Sequence, residues 1–317
     1  MAKKDRFKKS FINCKTFDMN SVNTIIIFFI AMFTIACNVE PKSIVHDKAQ
    51  LIKQSEDFTF TEGPAADKNG NVYFTDQPTN RILMWNAATD SITVFMEDAG
   101  RSNGLYFLNK NKLLACADEK NELWLIDTET QKADVLVDNF KGKKLNGPND
   151  MWVDQYGGVY FTDPYYEREY WENPEQEPEK QNVYYLTANY NQVVIADSQL
   201  VQPNGIIGTP DGSTLYVADI GDNKTYQYAI NGEGKLSNRT LFCNMGSDGM
   251  TIDKQGNVYL TGDGVTVFNK NGEQIVHIPN HEDWTANVTF GGKENKTLFI
   301  TAMGAIYTLR MNVKGAF

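Results

Sequence analysis

A motif of ten or eleven residues occurs six times in this chain, and it limits the possible folds more than any other feature. Each copy is a polar turn ending in Gly or Asn, followed by a short apolar strand that usually closes with Asp. The copies cover residues 67–76, 108–118, 154–163, 209–219, 253–262 and 292–302. Their last residues are 42, 45, 56, 43 and 40 positions apart. This spacing is typical of the blades of a propeller.

The intervals between the copies hold further strand-like runs, such as 81–87 (RILMWNA) and 122–128 (ELWLIDT), separated by polar turns. Aromatic and β-branched residues dominate these runs, and no long amphipathic helix interrupts them. The sequence therefore predicts an all-β fold, a six-bladed β-propeller with four-stranded antiparallel blades. Residues 51–60 have no partner in the repeat, and we expect them to supply the outer strand of the last blade and close the ring.

The N-terminal region differs from the rest of the chain. Six Lys and Arg residues precede a 13-residue apolar run, 24–36, which ends at Cys37. This order predicts a signal peptide over residues 1–37, with Cys37 as the candidate lipidated first residue of a bacterial lipoprotein. Thr34 stands where lipoprotein signals usually have Leu, and a plain secretory signal or an uncleaved anchor are the alternatives. All three place the protein outside the cytoplasm, in the periplasm or anchored to a membrane.

After this segment we expect a linker over residues 38–50 and a propeller domain over 51–317. Without residues 1–36 the formal charge is −14. Such a surface repels nucleic acid. We also expect a small-molecule partner, membrane contact only through the lipid anchor, and a monomer. Only two cysteines fall in the domain. We expect Cys116 and Cys243 to be buried thiols on different blades and not a disulfide.

A polar residue also recurs 14 or 15 positions before the end of each copy of the motif. Equivalent positions on radially repeated blades converge on the axis, so these six side chains should form a ring around one mouth of the central channel. The ring residues are Glu62, Asn103, Asn149, Asn204, Asp248 and Asn287.

Asn-Gly and Asp-Gly are also common turn dipeptides, which is the alternative explanation for single members of the ring. Glu62 has no such turn preference, and the position is polar in all six copies. Two carboxylates and four amides form an oxygen-donor set that suits Ca²⁺ and, less selectively, Mg²⁺ or Mn²⁺. The set is unsuited to a structural Zn²⁺, although Zn²⁺ stays among the alternative divalent cations.

Several blocks of the chain are specific enough to indicate a family. They are EGP (62–64), RSNGL (101–105), PNDMWVDQYGGVYFTDP (148–164), PNGIIGTPDGSTLYVAD (203–219) and SDGMTIDKQGNVYLTG (247–262). From about residue 50 to the C-terminus, the chain resembles the gluconolactonase, regucalcin and luciferin-regenerating enzyme family. The resemblance implies a six-bladed propeller that hydrolyses sugar lactones with a bound divalent cation.

The resemblance also implies roles for individual residues. Glu62, Asn204 and Asp248 are the implied metal ligands, and Asp248 is also the implied catalytic acid and base. Asn149 lies beside the metal as a ligand or a substrate contact. With Asn149, Asn103 belongs to the expected substrate-binding set.

Two further substrate contacts are expected outside the metal ligands. Glu167 falls where the family places an acid that contacts the substrate. Many relatives have Arg within two residues before the Asn of the PND block, where this chain has Gly147 and Pro148. Arg101 is the candidate substitute for that Arg.

The predicted function is hydrolysis of a sugar lactone to the aldonic acid by a metal-dependent, gluconolactonase-like enzyme. No Gly-x-Ser-x-Gly elbow is present, and the three histidines lie outside the ring. The alternatives are a non-catalytic, calcium-stabilised propeller that binds a carbohydrate or a partner protein, and a hydrolase of a different ester. Residues 164–181 of the long third repeat form a predicted loop over one mouth. Its aromatic residues either stack on a sugar ring or pack the loop; they are Tyr165, Tyr166, Tyr170 and Trp171.

Overall fold

The computed structural model describes residues 43–171, 178–232 and 234–317, and it confirms the predicted fold. Six four-stranded antiparallel sheets form the blades of a β-propeller. The predicted signal peptide, Cys37 and the first part of the linker lie outside the described residues. In the part of the chain that the structure describes, no helix is both long enough and apolar enough to span a membrane.

The strands follow one another from the axis outward in each blade. Blade six also contains the first strand of the chain, β1 (Ile52–Ser55). Blade one comprises β2 (Thr61–Ala66), β3 (Val72–Asp76), β4 (Arg81–Asn86) and β5 (Ser91–Glu97), with a 3₁₀ turn at Gln77–Thr79. Blade two comprises β6 (Ser102–Asn109), β7 (Lys112–Ala117), β8 (Glu122–Asp127) and β9 (Ala133–Val137). Blade three comprises β10 (Met151–Val153), β11 (Val159–Asp163), β12 (Asn182–Leu186) and β13 (Val193–Asp197).

The remaining blades repeat this order. Blade four comprises β14 (Pro203–Gly208), β15 (Thr214–Asp219), β16 (Lys224–Ile230) and β17 (Leu236–Cys243). Blade five comprises β18 (Met250–Ile252), β19 (Val258–Gly262), β20 (Gly264–Phe268) and β21 (Gln274–Ile278). Blade six comprises β22 (Thr285–Gly291), β23 (Thr297–Ala302), β24 (Ala305–Arg310) and β1.

The ring of blades closes as the sequence predicts. Strand β1 pairs antiparallel with β24, with Ile52 opposite Thr308, so the outer strand of blade six comes from the N-terminal side of the domain. Each innermost strand contacts those of the two neighbouring blades, and β2 contacts both β6 and β22. The described part of the predicted linker also contacts blade six, because Val45 forms a β-bridge with Met311 and Ile44 is buried.

Burial within each blade explains the apolar runs of the motif. The second strand lies between neighbouring sheets, so both of its faces are covered and β11 is buried along its whole length. The outermost strand faces solvent on one side, and β5 accordingly alternates between exposed and partly buried positions. Cys116 on β7 and Cys243 on β17 are buried and unbridged, as predicted.

The aspartate that closes the motif has a structural role in three blades. Its carboxylate accepts hydrogen bonds from the two backbone N–H groups that lie three and two positions before the ring residue. The pairs are Asp76 with Thr59 and Phe60, Asp163 with Asn146 and Gly147, and Asp219 with Val201 and Gln202, at 2.8–3.2 Å. These bonds join the end of the second strand to the segment that precedes the first strand. They therefore fix the position of the ring residue in each of these three blades.

Candidate active site

The ring residues converge at one mouth of the channel. Glu62, Asn103, Asn204 and Asn287 lie on the innermost strands, whereas Asn149 and Asp248 immediately precede them. The side chains of Asn103, Asn149 and Asn287 are at most 5% exposed, as are those of Glu62 and Asn204. Asp248 alone among the six keeps a larger exposed fraction. The structure thus brings the predicted ring together and leaves one of its two carboxylates accessible.

The Asn-Gly dipeptide at positions 103–104 lies within strand β6 and is not a turn. A Cβ atom on Gly104 would lie 2.6 Å from the carbonyl oxygen of Asn149 on the neighbouring blade. The backbone N–H of Gly104 donates to that same oxygen at 2.8 Å. Glycine is therefore required here because the innermost strands approach closely around the axis.

Asp248 is held by two hydrogen bonds. Asn204 Nδ2 donates to Asp248 Oδ1 at 2.9 Å, and Trp284 Nε1 donates to Asp248 Oδ2 at 2.6 Å. Burial raises the pKa of Asp248 to about 6, and this rise is opposed by the bonds from Trp284 and Asn204 and by the charge of Arg168. The carboxyl group is therefore oriented and able to exchange a proton near neutral pH.

Glu62 is more deeply buried than Asp248, and its pKa is more strongly raised. Its Oε2 accepts the backbone N–H of Gly63 at 2.9 Å and Asn287 Nδ2 at 3.2 Å. Burial raises the pKa of Glu62 well above its ordinary value, and the nearby charges of Asp248 and Asp150 raise it further. Carboxylates packed this closely repel each other unless a cation or a proton lies between them.

Asp150 is a third acidic group at this site, and the repeat did not single it out. It is 7% exposed, and its Oδ1 accepts the backbone N–H of Met151 at 2.9 Å. Burial raises the pKa of Asp150 to about 7. One signal was present in the sequence: four other ring residues are followed by Gly, whereas Asn149 is followed by an acid.

The blade-three loop is described over residues 164–171 and 178–181, and it brings two further side chains to the ring. Tyr166 lies beside Asn204, whose Nδ2 donates to the tyrosine Oη at 3.0 Å. The Arg168 guanidinium lies over the Tyr166 ring, 5.5 Å from its centroid. The predicted placement of this loop at the mouth is therefore correct for Tyr166. Arg168 was missed, because a loop without periodicity gives no indication of which side chain points inward.

Asp118 anchors this loop. Its Oδ2 accepts hydrogen bonds from Arg168 Nε at 2.9 Å, Tyr170 Oη at 2.7 Å and Gln77 Nε2 at 3.1 Å. Its backbone carbonyl accepts Trp171 Nε1 at 2.8 Å. Of the aromatic residues considered as a stacking surface, Tyr170 and Trp171 thus hold the loop in place.

The structure does not place the other two expected substrate contacts, Arg101 and Glu167, among the side chains of the ring. Arg101 Nη1 donates to the carbonyl oxygen of Pro78 at 2.6 Å, and its guanidinium lies 4.5 Å from the centre of the Tyr170 ring. Glu167 is exposed on the loop. The histidines, His46, His277 and His281, are all exposed and lie away from the ring.

The donor set of the ring fits a hard divalent cation. Asn103 Oδ1 and Asn204 Oδ1 are buried acceptors without a hydrogen-bond partner among the described residues, and such groups are costly unless a ligand completes them. Burial raises the pKa of Glu62, and the charge of Asp248 raises it further, so a cation beside these two carboxyl groups would favour their charged forms. Within the described ranges, no cluster of three or more His, Cys, Asp or Glu side chains is arranged to hold a metal ion. A cation here would thus depend on amide oxygens as well as carboxylates.

The fold and the site together define a class of protein, a β-propeller with carboxylate and amide side chains clustered at one mouth of its channel. The family described as "SMP-30/Gluconolactonase/LRE-like region" matches residues 60–304. The chain therefore belongs to this family, as the sequence blocks predicted.

Individual relatives agree with this membership. A gluconolactonase of Zymomonas mobilis is 27% identical over 289 residues, which covers 82% of this chain and 81% of that protein. The solved structure of a gluconolactonase from Xanthomonas campestris is 27% identical, with a TM-score of 0.78, and covers 84% of this chain and 91% of its own. A calcium-binding regucalcin from Agrobacterium tumefaciens is 20% identical, with a TM-score of 0.71 over 84% of this chain and 95% of its own, which shows the shared fold.

Proposed function

We propose that this protein is a divalent-metal-dependent hydrolase that opens a sugar lactone to the aldonic acid. One observation carries the proposal: Asp248 is an oriented, partly exposed carboxylate beside the buried Glu62 carboxyl group and two buried amide oxygens, of Asn103 and Asn204, that lack partners among the described residues. That combination provides a proton acceptor next to a cation site, both at the open mouth of the channel. The gluconolactonase relatives favour the same reaction class.

Glu62, Asn204 and Asp248 would hold the cation, with Asn149 as a fourth oxygen donor. Ca²⁺ is the cation we propose, because this set contains no nitrogen or sulfur ligand. When bound, such a cation supplies positive charge that polarises a carbonyl group and makes a nearby water more acidic. Asn287 and the N–H of Gly63 orient the Glu62 carboxylate toward this role.

Asp248 carries the proton through the reaction. It accepts a proton from the water whose oxygen attacks the lactone carbonyl carbon, and the new C–O bond forms as that proton leaves. The bond between the carbonyl carbon and the ring oxygen then breaks, and Asp248 returns the proton to the departing ring oxygen. Trp284 and Asn204 hold the carboxylate in one orientation during both transfers. This route needs no covalent nucleophile.

Proton release from D-glucono-δ-lactone tests the proposal. We expect metal-loaded wild-type protein to exceed the spontaneous rate, chelator to abolish the excess and Ca²⁺ to restore it. Asp248→Asn should lower kcat by roughly 10²- to 10⁴-fold, because it removes the general base. Asp222→Asn, at an exposed position outside the ring, is the matched control and should keep wild-type activity.

Two results would contradict the proposal. A metal-loaded protein that gives no excess rate on a panel of aldonolactones is not a lactonase of this class. If it nevertheless loses stability on chelation, it is the calcium-stabilised binding propeller that the sequence left as an alternative. Retention of full activity in Asp248→Asn would assign the proton transfer to another group.

A further inference from the structure

We propose that Arg168 orients the substrate in this site by donating hydrogen bonds to oxygen substituents on the lactone ring. The inference rests on the proposed lactone hydrolysis and extends it, because it names a specificity residue and the oxygen substituents of the substrate that this residue recognises.

Arg168 lies beside the reacting groups. Its guanidinium covers the Tyr166 ring at 5.5 Å, and Tyr166 Oη accepts a hydrogen bond from Asn204 at 3.0 Å. The same Asn204 amide donates to Asp248. Burial raises the pKa of Asp248, and the charge of Arg168 opposes that rise, so the guanidinium lies within electrostatic range of the proposed base.

The guanidinium is fixed from one side only. Arg168 Nε donates to Asp118 Oδ2 at 2.9 Å, and this is the one hydrogen bond that the guanidinium makes to the residues that the structure describes. The side chain is 26% exposed, whereas that of Asp118 is 4% exposed. The buried carboxylate thus sets the direction of the arginine and leaves its two terminal nitrogens available for a ligand.

The loop also occupies the space where a side chain would otherwise enter from residue 147. A Cβ atom on Gly147 would lie 2.7 Å from Asp118 Oδ1 and 3.3 Å from the Trp171 ring, and the residue has a φ of +149°. Asp118 and the loop that it anchors therefore leave no room for a side chain at this position, and the Arg168 guanidinium comes to the mouth from the loop.

A guanidinium presents planar, paired N–H donors, which match neighbouring oxygen atoms better than a point charge does. The ring of a sugar lactone carries such neighbouring hydroxyl oxygens, whereas an unsubstituted lactone has only the ester group. The arginine therefore selects for a hydroxylated ring, and the effect of removing it should depend on those hydroxyl groups.

The test compares two six-membered lactones on the metal-loaded enzyme, D-glucono-δ-lactone and the unsubstituted δ-valerolactone. Because a hydrogen bond from a charged donor is lost, Arg168→Gln should lower kcat/KM for the hydroxylated lactone by roughly 10- to 100-fold, mainly through KM. For δ-valerolactone the change should stay within about threefold, since there is no hydroxyl group to contact. Arg168→Lys should recover part of the loss because it keeps the charge.

Arg81→Gln is the matched control. Arg81 also pairs with a closing aspartate, Asp76, at 3.2 Å, and its side chain is 29% exposed. This variant should leave the ratio between the two substrates at the wild-type value. An equal loss on both lactones in Arg168→Gln would overturn the inference, because it would show that the residue only supports the loop.

A binding measurement separates failure of this inference from failure of the proposed reaction. The ligand is 1,5-anhydro-D-glucitol, which has the hydroxylated ring but no ester, and binding is measured by calorimetry. If wild type binds it more tightly than Arg168→Gln while neither variant hydrolyses lactones, the role of Arg168 stands and the proposed reaction is wrong. Equal binding by the two proteins, or no binding by either, would overturn the role of Arg168.

Discussion

Blades two and three carry the same closing aspartate, but the two residues have different functions. In blade three, Asp163 is buried and accepts the backbone N–H groups of Asn146 and Gly147, which support the entry into its own blade. In blade two, Asp118 accepts Gln77, Arg168 and Tyr170 side chains instead. One aspartate therefore stabilises the repeat, while its equivalent in the neighbouring blade holds a loop against the proposed active site.

The side chain of Asn80 makes this difference possible. The backbone N–H of Arg101, which corresponds to that of Gly147, donates to Asn80 Oδ1 at 2.6 Å. Asn80 thus provides the acceptor that the closing aspartate provides in blades one, three and four, and the Asp118 carboxylate is free to bind the loop. In a repeat protein, a position that keeps its residue type but changes its partners indicates where function has been added to the scaffold.

The largest expected effect is on the structural aspartate. Asp163→Ala leaves two buried backbone N–H groups without acceptors, so we expect the free energy of unfolding to fall by about 3 kcal/mol. Chemical denaturation of the metal-loaded protein measures this. Asp263→Ala, at an exposed position beside the closing Gly262 of blade five, should change it by less than about 0.5 kcal/mol. A comparable loss in both variants would remove the distinction between the two aspartates.

Gly147→Ala tests whether the anchored loop excludes a side chain at this position. The added Cβ would collide with Asp118 Oδ1, and the backbone conformation disfavours any residue but glycine. We expect a loss of about 2 kcal/mol in the free energy of unfolding. Gly142→Ala has a φ of +77° but open space around the new methyl group, so it should show only the conformational cost, about 1 kcal/mol. Equal losses in the two variants would exclude the predicted collision.

Asp118→Ala should affect activity as well as stability. Arg168 can be hydrated at the surface, but the buried side chain of Gln77 also loses its acceptor, so the free energy of unfolding should fall by about 1.5 kcal/mol. The released guanidinium should raise KM for D-glucono-δ-lactone about tenfold, or about 1.4 kcal/mol. Lys120→Ala, at an exposed neighbouring position, is the control for steady-state kinetics. Unchanged KM together with a stability loss equal to that of Asp163→Ala would make the two aspartates equivalent.

The smallest expected effect is that of Tyr170→Phe. It removes one of three donors to Asp118 Oδ2 but keeps the ring beside Arg101 and Trp171. We expect a loss of about 0.5–1 kcal/mol in the free energy of unfolding and a change in KM within about threefold. Tyr156→Phe, at a residue that is 64% exposed, should change neither quantity. A larger change in KM than that of Asp118→Ala would make Tyr170 the main anchor of the loop.

The fold was predictable because each blade repeats the same physical requirement, a strand covered on both faces that follows a polar turn. The ring was predictable for the same reason, since equivalent positions must meet at the axis. Asp150, Trp284 and Arg168 were not found this way. Each is present in a single blade, and Arg168 reaches the site only through the contacts of Asp118, which a repeat pattern does not encode.

The pairing of β1 with β24 has a consequence for folding. Blade six contains strands from both ends of the domain. Strand β1 is synthesised first but has no partner until β24 has been synthesised. Closing the ring joins residues that are far apart in the chain, and such contacts form slowly. Until then, the inner strand β2 lacks its neighbour β22, and Glu62 lacks the Asn287 side chain that holds it. The proposed cation site is therefore complete only once the whole domain has closed, which couples metal binding to the final event of folding.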